Sequence, residues 1–369
     1  MKTKFLAWLI TAFLILTLSA CDLPEITPPP TEPAATAAPV IDTVPLPSPT
    51  EVVEVKPLIQ ITSTNIQNLT LVNKTAVSNV QGVIWANDSK SLSVISQNSD
   101  ANGNQVYNVT ILDAANLSPL AVYSSSSDRI ASVAADGRTV AVISQDMSSF
   151  KLIDMGAGNA EIFSLTPGYL IGGITFSPDL RYVAVTKMDA WEVVLFDFVT
   201  HEELKTLTGF ETAAPVFNAG FTEAAQWLVW HARATIQLQD VESGNMGPSF
   251  SHEDFVNDYA LTPNGSTLAS SYATSIKLWD TASGSQIASF EMGNGISSYS
   301  ASVSFSPDGR LLAATSGNDL QIWDVASATL LATFSGHSDV VRVTAFSPDQ
   351  NSIATAGADN QLYLWQIVQ

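Results

Sequence analysis

Short runs of alternating apolar and polar residues recur along most of the chain, each followed by an acidic or polar residue and a turn of small residues. Alternation with a period of two is typical of β-strands with one buried face. Seven of these runs end at Asp113, Asp154, Asp197, Asp240, Asp280, Asp324 and Gln366. Successive ends are separated by about 40 to 44 residues, which is the length of one four-stranded blade of a β-propeller.

A second pattern runs in phase with the first one. It is an apolar run that ends in a tight turn, as in FSPDLR from Phe176 and FSPDGR from Phe305. Proline, Asp, Asn and Gly are the residues that such turns prefer. Further copies begin at Trp85, Val133, Phe221, Leu261 and Phe346. Because another apolar run follows each turn, we predict an all-β fold, a seven-bladed β-propeller of four-stranded antiparallel blades.

The last repeat ends at residue 369, directly after its third strand, so the ring needs a strand from elsewhere to complete the blade. Residues 58–77 contain suitable apolar positions, among them Ile61 and Leu71. We expect part of this segment to pair with the seventh repeat as its outer strand, which leaves only short, protected edges. The alternative is an ordered extension that packs elsewhere.

The repeats resemble the WD-repeat family, and the resemblance covers residues 58–369 and is strongest in the last three repeats. Trp279-Asp280 and Trp323-Asp324 match the Trp-Asp pair of that family, whereas Trp365-Gln366 departs from it at the acid. In the family, a His, a Ser or Thr, an Asp and the Trp form a hydrogen-bonded tetrad inside a blade. His337, Thr355, Asp359 and Trp365 match that pattern in repeat seven.

No other repeat has the full set of tetrad residues. The remaining histidines, His201, His231 and His252, are interpreted as lying outside the matching positions. We therefore expect packing rather than the tetrad to hold most blades together. The family resemblance implies the fold and a habit of binding proteins, and fold alone does not define a function.

The N-terminus reads MKTKFLAWLITAFLILTLSAC, with Lys2 and Lys4 before an apolar run and small residues before Cys21. This layout is typical of a secretory signal, and the run is short for a membrane-spanning helix. Leu18 to Cys21 resembles the lipobox of bacterial lipoproteins, in which the signal is cut before the cysteine and the cysteine is acylated. We therefore predict a signal peptide at 1–20 and lipid attachment at Cys21, the single cysteine of the chain.

Residues 21–57 are interpreted as a lipidated cysteine followed by a disordered tether. Ten of the 18 prolines lie between residues 22 and 57, and such a composition favours extended polyproline II over a packed core. Residues 58–369 then form the propeller. The first 57 residues hold three lysines and six acidic residues, so about −17 of the chain's net −20 belongs to the propeller. Because nucleic-acid binding needs basic surface, we expect no nucleic-acid partner.

The sequence contains little catalytic chemistry. It lacks a Gly-x-Ser-x-Gly elbow, a His-Glu-x-x-His pair and a phosphate-binding glycine loop, and its four histidines are scattered. We expect no catalytic residues, no metal and no cofactor. Asp100 to Asn104 has the early spacing of a calcium loop, but Val109 stands where the loop needs a glutamate. Asn102-Gly103 favours a hairpin instead.

A binding face could lie on the loops before the first strands and between the middle strands. These loops include residues 100–104, 187–191, 252–254, 293–296 and 337–339. Trp191, Trp227 and Trp230 are aromatic candidates for such a face. Core packing is the favoured interpretation of all three, and it is clearest for Trp227 and Trp230. An enzyme with a site in the central channel predicts several charged residues in the first strands. Their interiors contain three, Arg129, Asp258 and Arg342.

Taken together, the sequence predicts a non-catalytic protein-interaction scaffold that is lipid-anchored through Cys21 at the cell membrane. It would face the extracytoplasmic side, in the periplasm or at the cell surface, and bind a protein partner that the sequence does not identify. Two alternatives remain open at this point. One is a propeller hydrolase or lyase with a site in the central channel, and the other is an envelope-assembly or solute-binding component.

Overall fold

The computed structural model describes residues 58–368, apart from 189, 191, 209–218, 223–224, 233, 254, 273 and 293–301. Its described strands form seven antiparallel sheets of four strands each. The chain is a seven-bladed β-propeller, which confirms the predicted fold. Within the described part of the chain, no helix is long and apolar enough to cross a bilayer.

Each blade begins with an inner strand next to the central channel and continues outward through a second and a third strand. The inner strands of blades 1 to 7 are, in order, β2 (Val80–Trp85), β6 (Asp128–Val133), β10 (Ile171–Phe176), β14 (Ala219–Phe221), β18 (Val256–Leu261), β22 (Val303–Phe305) and β26 (Val341–Phe346). The second strands are β3 (Ser91–Ser99), β7 (Thr139–Ser144), β11 (Tyr182–Lys187), β15 (Trp227–Ala232), β19 (Thr267–Tyr272), β23 (Leu311–Ser316) and β27 (Ser352–Gly357).

The third strands are β4 (Gln105–Asp113), β8 (Phe150–Asp154), β12 (Glu192–Asp197), β16 (Thr235–Asp240), β20 (Ser275–Asp280), β24 (Asp319–Asp324) and β28 (Gln361–Gln366). Every one of them ends at the residue that the repeat pattern marks. The outer strands of blades 1 to 6 are β5 (Pro119–Ser125), β9 (Ala160–Leu165), β13 (Glu203–Thr208), β17 (Met246–Ser251), β21 (Gln286–Glu291) and β25 (Thr329–Ser335). Two short 3₁₀ helices, Ile66–Asn68 and Met155–Ala157, complete the described elements.

Blade 7 obtains its outer strand from the other end of the chain. β1 (Thr70–Ala76) pairs antiparallel with β28, from Thr70 opposite Gln366 to Ala76 opposite Gln361. The segment before β1 also packs against the domain, because Ile61 is fully buried and its backbone exchanges hydrogen bonds with Gln350. The predicted closure by residues 58–77 is therefore confirmed.

The core lies between neighbouring blades, where the apolar faces of their second and third strands meet. One cluster joins Ile61 and Ile66 to Leu311 and Ile322 of blade 6 and to Trp365 of blade 7. Small, fully buried residues such as Ala141, Ala184, Ala269 and Ala313 occupy the second strands. Burial of such apolar area is the dominant favourable contribution to folding.

Candidate functional site

The side chains of the predicted tetrad meet inside blade 7. His337 Nδ1 lies 3.0 Å from both carboxylate oxygens of Asp359, and its Nε2 lies 2.9 Å from Thr355 Oγ1. The indole N–H of Trp365 donates to the same Thr355 oxygen at 2.8 Å. Asp359 also accepts from the backbone of Ser338 at 3.1 Å. The four side chains satisfy one another in the interior of the blade, which is a structural arrangement rather than a reactive one.

Blade 5 contains most of a second tetrad, so the interpretation of His252 as lying outside the matching positions is wrong. His252 Nε2 lies 2.6 Å from Ser270 Oγ, and the indole N–H of Trp279 donates to that oxygen at 2.8 Å. The acid is missing, and His252 Nδ1 is buried without a hydrogen-bond partner. The loop from Tyr272 to Ser275 is one residue shorter than its counterpart in blade 7, which changes the spacing from His to Trp.

The pKa of His252 is lower than its ordinary value. Desolvation is the main cause that lowers its pKa, Lys277 lowers it further, and Glu253 opposes the shift. The ring packs edge-on against Tyr272 and Trp279, with 5.2 Å between centroids in each case. The imidazole therefore belongs to the packed interior of the blade, where burial disfavours its charged form.

In blades 4 and 6, the indole is held in other ways. Trp323 of blade 6 has a buried N–H without a partner, since Ala314 stands where blade 5 has Ser270, and its ring stacks on Phe290 with 4.9 Å between centroids. In blade 4, Trp230 of the second strand donates to Gln239 Oε1 of the third strand at 2.9 Å. The indole and its acceptor have exchanged strands there.

The acids that end the third strands cap the turns that follow them. Asp280 Oδ1 accepts from the backbone N–H and the hydroxyl of Ser283 at 2.8 and 2.7 Å. Asp324 binds Ser327 in the same way, at 2.8 Å for both bonds. The hydrogen bonds from Ser283 lower the pKa of Asp280. The Trp-Asp pairs therefore contribute one core side chain and one turn cap each.

A cavity of about 670 Å³ lies in the central channel. The inner strands of blades 5, 6, 7 and 1 form most of its wall, and turns that contain Pro178, Pro263, Pro307 and Pro348 surround one end. Its volume lies within the range of small-molecule sites in proteins. The wall is mostly apolar or neutral, and Asp258 and Arg342 are the charged residues among those that line it.

Side chains in the wall join each inner strand to its neighbour. Asp258 Oδ2 accepts from Val303 N of the next blade at 3.0 Å, and its Oδ1 accepts from Tyr259 N at 2.9 Å. Ser304 Oγ likewise accepts from Phe346 N at 3.1 Å. Burial raises the pKa of the Asp258 carboxyl, and the hydrogen bond from Val303 opposes that shift. Asp258 thus connects blades 5 and 6.

The predicted loop at residues 100–104 is a hairpin turn in the structure. Asp100 accepts backbone N–H groups from Asn102 and Asn104, and Ser99 pairs with Gln105 across a tight turn. The hairpin interpretation of this segment is therefore confirmed. Among the described residues, no three His, Cys, Asp or Glu side chains come together as a metal site requires.

Several sequence-based candidates lie outside the described residues, namely Cys21, the tether, Trp191 and residues 293–296. Trp230 is fully buried and Trp227 is partly buried, in line with the core interpretation. The sequence patterns did not predict the acceptor role of Gln239 or the incomplete tetrad at His252. The separation of 18 residues from His to hydroxyl, shared by the pairs at His252 and His337, was the available signal.

Comparison with known families identifies three segments, in the last three repeats, as WD repeats. The model described as WD domain, G-beta repeat, matches residues 247–280, 287–324 and 328–366. Each segment runs from the outer strand of one blade to the end of the third strand of the next. Among curated proteins, none matches the chain. The chain thus carries three WD40 repeats on a seven-bladed propeller, and this fold is consistent with a protein-interaction scaffold.

Proposed function

We propose that this seven-bladed propeller with three WD40 repeats is a non-catalytic scaffold for protein partners, tethered to the extracytoplasmic face of a membrane through a lipid on Cys21. The observation that carries the proposal is the combination of this propeller with a lipobox-like N-terminus and a proline-rich segment. Two acyl chains anchor a protein stably, whereas one chain binds only marginally. A spacer of 36 residues reaches at most about 110 Å when extended as polyproline II.

The chemistry of the channel supports binding over catalysis. Among the described residues that line the cavity there is one carboxyl group, that of Asp258, and no histidine or lysine. General acid–base catalysis needs groups that can approach a substrate's proton, and glycoside hydrolysis uses a pair of carboxyl groups. Each of the two carboxylate oxygens of Asp258 already accepts a hydrogen bond from a backbone N–H group. A hydrolase or lyase in this channel is the less favoured alternative.

A pull-down from detergent-solubilised membranes tests the scaffold proposal. Wild-type protein and Cys21→Ser are expressed with the same affinity tag, and co-purifying proteins are identified by mass spectrometry. We expect an envelope protein to accompany the wild type in stoichiometric amounts, and to be lost or strongly reduced with the variant that is not membrane-bound. Wild-type protein that purifies alone, or that hydrolyses a panel of glycoside and ester substrates, would contradict the proposal.

A further inference from the structure

Two arginines that form no ion pair with any described acid lie on inner strands of the propeller, and one of them, Arg342, lines the channel cavity. Arg129 and Arg342 each stand four residues before the end of an inner strand, in blades 2 and 7. Gln81 occupies the same position in blade 1, between them. The described salt bridges of the domain use other cations. In a propeller with a net charge of about −17, an unpaired guanidinium in the lining of the channel, that of Arg342, needs an explanation.

The backbone turns two of these side chains away from the regular sheet. In β26, pairing with β27 shifts register between Val341 and Val343, and in β2 it shifts between Val80 and Gly82. The bulged residues are therefore Arg342 and Gln81. Bulges of this kind re-aim a side chain, and they are frequent at barrel rims and beside functional sites. Both residues line the cavity, at the end opposite the proline-containing turns, and both are solvent-exposed.

A small hydrogen-bond network fixes the orientation of these donors. Arg342 Nη1 donates to Asn79 Oδ1 at 3.1 Å, and Gln81 Nε2 donates to the same oxygen at 3.2 Å. Asn79 itself is anchored, because its side-chain amide donates to the Gln97 backbone at 2.7 Å. Arg342 uses one of its five N–H donors in this way, so the rest of the fork is available to a ligand.

Asp258 restricts where in the cavity an anionic group can bind. Asp258 lies two blades away from Arg342, and its carboxylate would repel an anionic group placed near it. The rest of the wall is mostly apolar or neutral, and it includes Val83, Val343 and Ala345. An acceptable ligand therefore has an acidic group at the mouth and an uncharged, partly apolar portion inside the channel.

We infer that this mouth is a recognition site for a carboxylate of a peptide partner, with Arg342 as the principal donor and Gln81 beside it. The inference rests on the proposed scaffold function and specifies the chemistry of the partner. Because the domain as a whole repels anions, recognition depends on the geometry of the guanidinium fork and not on long-range attraction. A lysine cannot reproduce that fork.

Calorimetric titration of the detergent-solubilised full-length protein tests the inference with three short N-acetylated peptides that have no charged group apart from the one under test. One ends in a free carboxylate, one is amidated and carries a single glutamate, and one is amidated with glutamine in its place. We expect at least one carboxylate peptide to bind and the glutamine peptide not to bind. The first two peptides distinguish a terminal carboxylate from a side-chain carboxylate.

The variants Arg342→Gln and Arg342→Lys should each weaken peptide binding at least tenfold. Arg310→Gln removes the same charge from an exposed turn and should bind like the wild type. Unfolding midpoints verify that all variants are folded. No binding by the wild type, or equal binding by the wild type and Arg342→Gln, would overturn the inference. The scaffold proposal is decided separately by the pull-down, since a partner can dock elsewhere on the propeller.

Discussion

His252 lies 2.6 Å from the hydroxyl of Ser270, in the same relation that joins His337 to Thr355 two blades further on. Both hydroxyls also accept the N–H of a tryptophan on the third strand. The difference is at the other ring nitrogen, where Asp359 binds His337 and His252 has no partner. One chain thus shows the complete and the incomplete form of the same network, and comparing them predicts what each group contributes.

Removing the central hydroxyl of the complete network should destabilise the propeller. Thr355→Val leaves the Trp365 N–H and the His337 ring without their shared partner, which costs about 1–3 kcal/mol in the free energy of unfolding. Thr344→Val is the matched control, because the Thr344 hydroxyl is buried and has no hydrogen-bond partner. Denaturant unfolding of both variants checks this. Equal losses in the two variants would contradict a role for the network.

Adding a hydroxyl to blade 6 should have the opposite effect. Ala314→Ser places an acceptor where blade 5 has Ser270, next to the unpartnered N–H of Trp323, and should raise the free energy of unfolding by about 1 kcal/mol. Ala313→Ser, one residue away on the other face of the strand, buries a hydroxyl without that donor and should lower stability. Thermal unfolding compares the two variants. Destabilisation by both would show that Trp323 needs no acceptor.

The strand ends and turns were predictable because each depends on neighbouring residues. Asp280 follows an alternating run and precedes a small-residue turn, and both signals lie within a few positions of it. The complete tetrad was found because its four residues match the family pattern. His252 was missed because a two-residue hairpin replaces a three-residue one and shifts the spacing to Trp279. Insertions in a loop change sequence distances without changing the contacts inside a blade.

Other features depend on contacts that no spacing reveals. The indole of Trp230 and the amide of Gln239 are exchanged between two strands, and only their facing positions identify them as partners. Asn79, which orients Arg342 at the channel mouth, is 263 positions away in the chain. Contacts across the closure of the ring are the least accessible to sequence reasoning, since they join the two ends of the domain.

Acidification should weaken the fold through His252. Its pKa is lower in the folded protein than the ordinary value of 6.5, so the unfolded chain binds the proton more readily. Stability is therefore fully present above about pH 6.5 and falls as the pH decreases towards the folded pKa. Unfolding midpoints across this range should drop less in His252→Gln than in the wild type. The pKa of His201 is also lowered by desolvation, so part of the slope should remain.

The segment before the closing strand should contribute to stability as part of the core. Ile61→Ala removes a fully buried side chain that packs against blades 6 and 7, and should cost about 2–5 kcal/mol in the free energy of unfolding. Leu58→Ala, at a position that is 42% exposed, should change stability little. If both variants unfold like the wild type, residues before β1 are dispensable and closure depends on β1 alone.

The most direct test of a membrane-tethered propeller is the mass of its N-terminal peptide, measured on protein from separated membrane and soluble fractions. The account predicts that the mature chain begins at Cys21, that this residue carries acyl chains, and that the protein is in the membrane fraction. Cys21→Ser should lack the lipid and lose that membrane location. An intact N-terminus beginning at Met1, or an unmodified Cys21 on a soluble protein, would contradict the account.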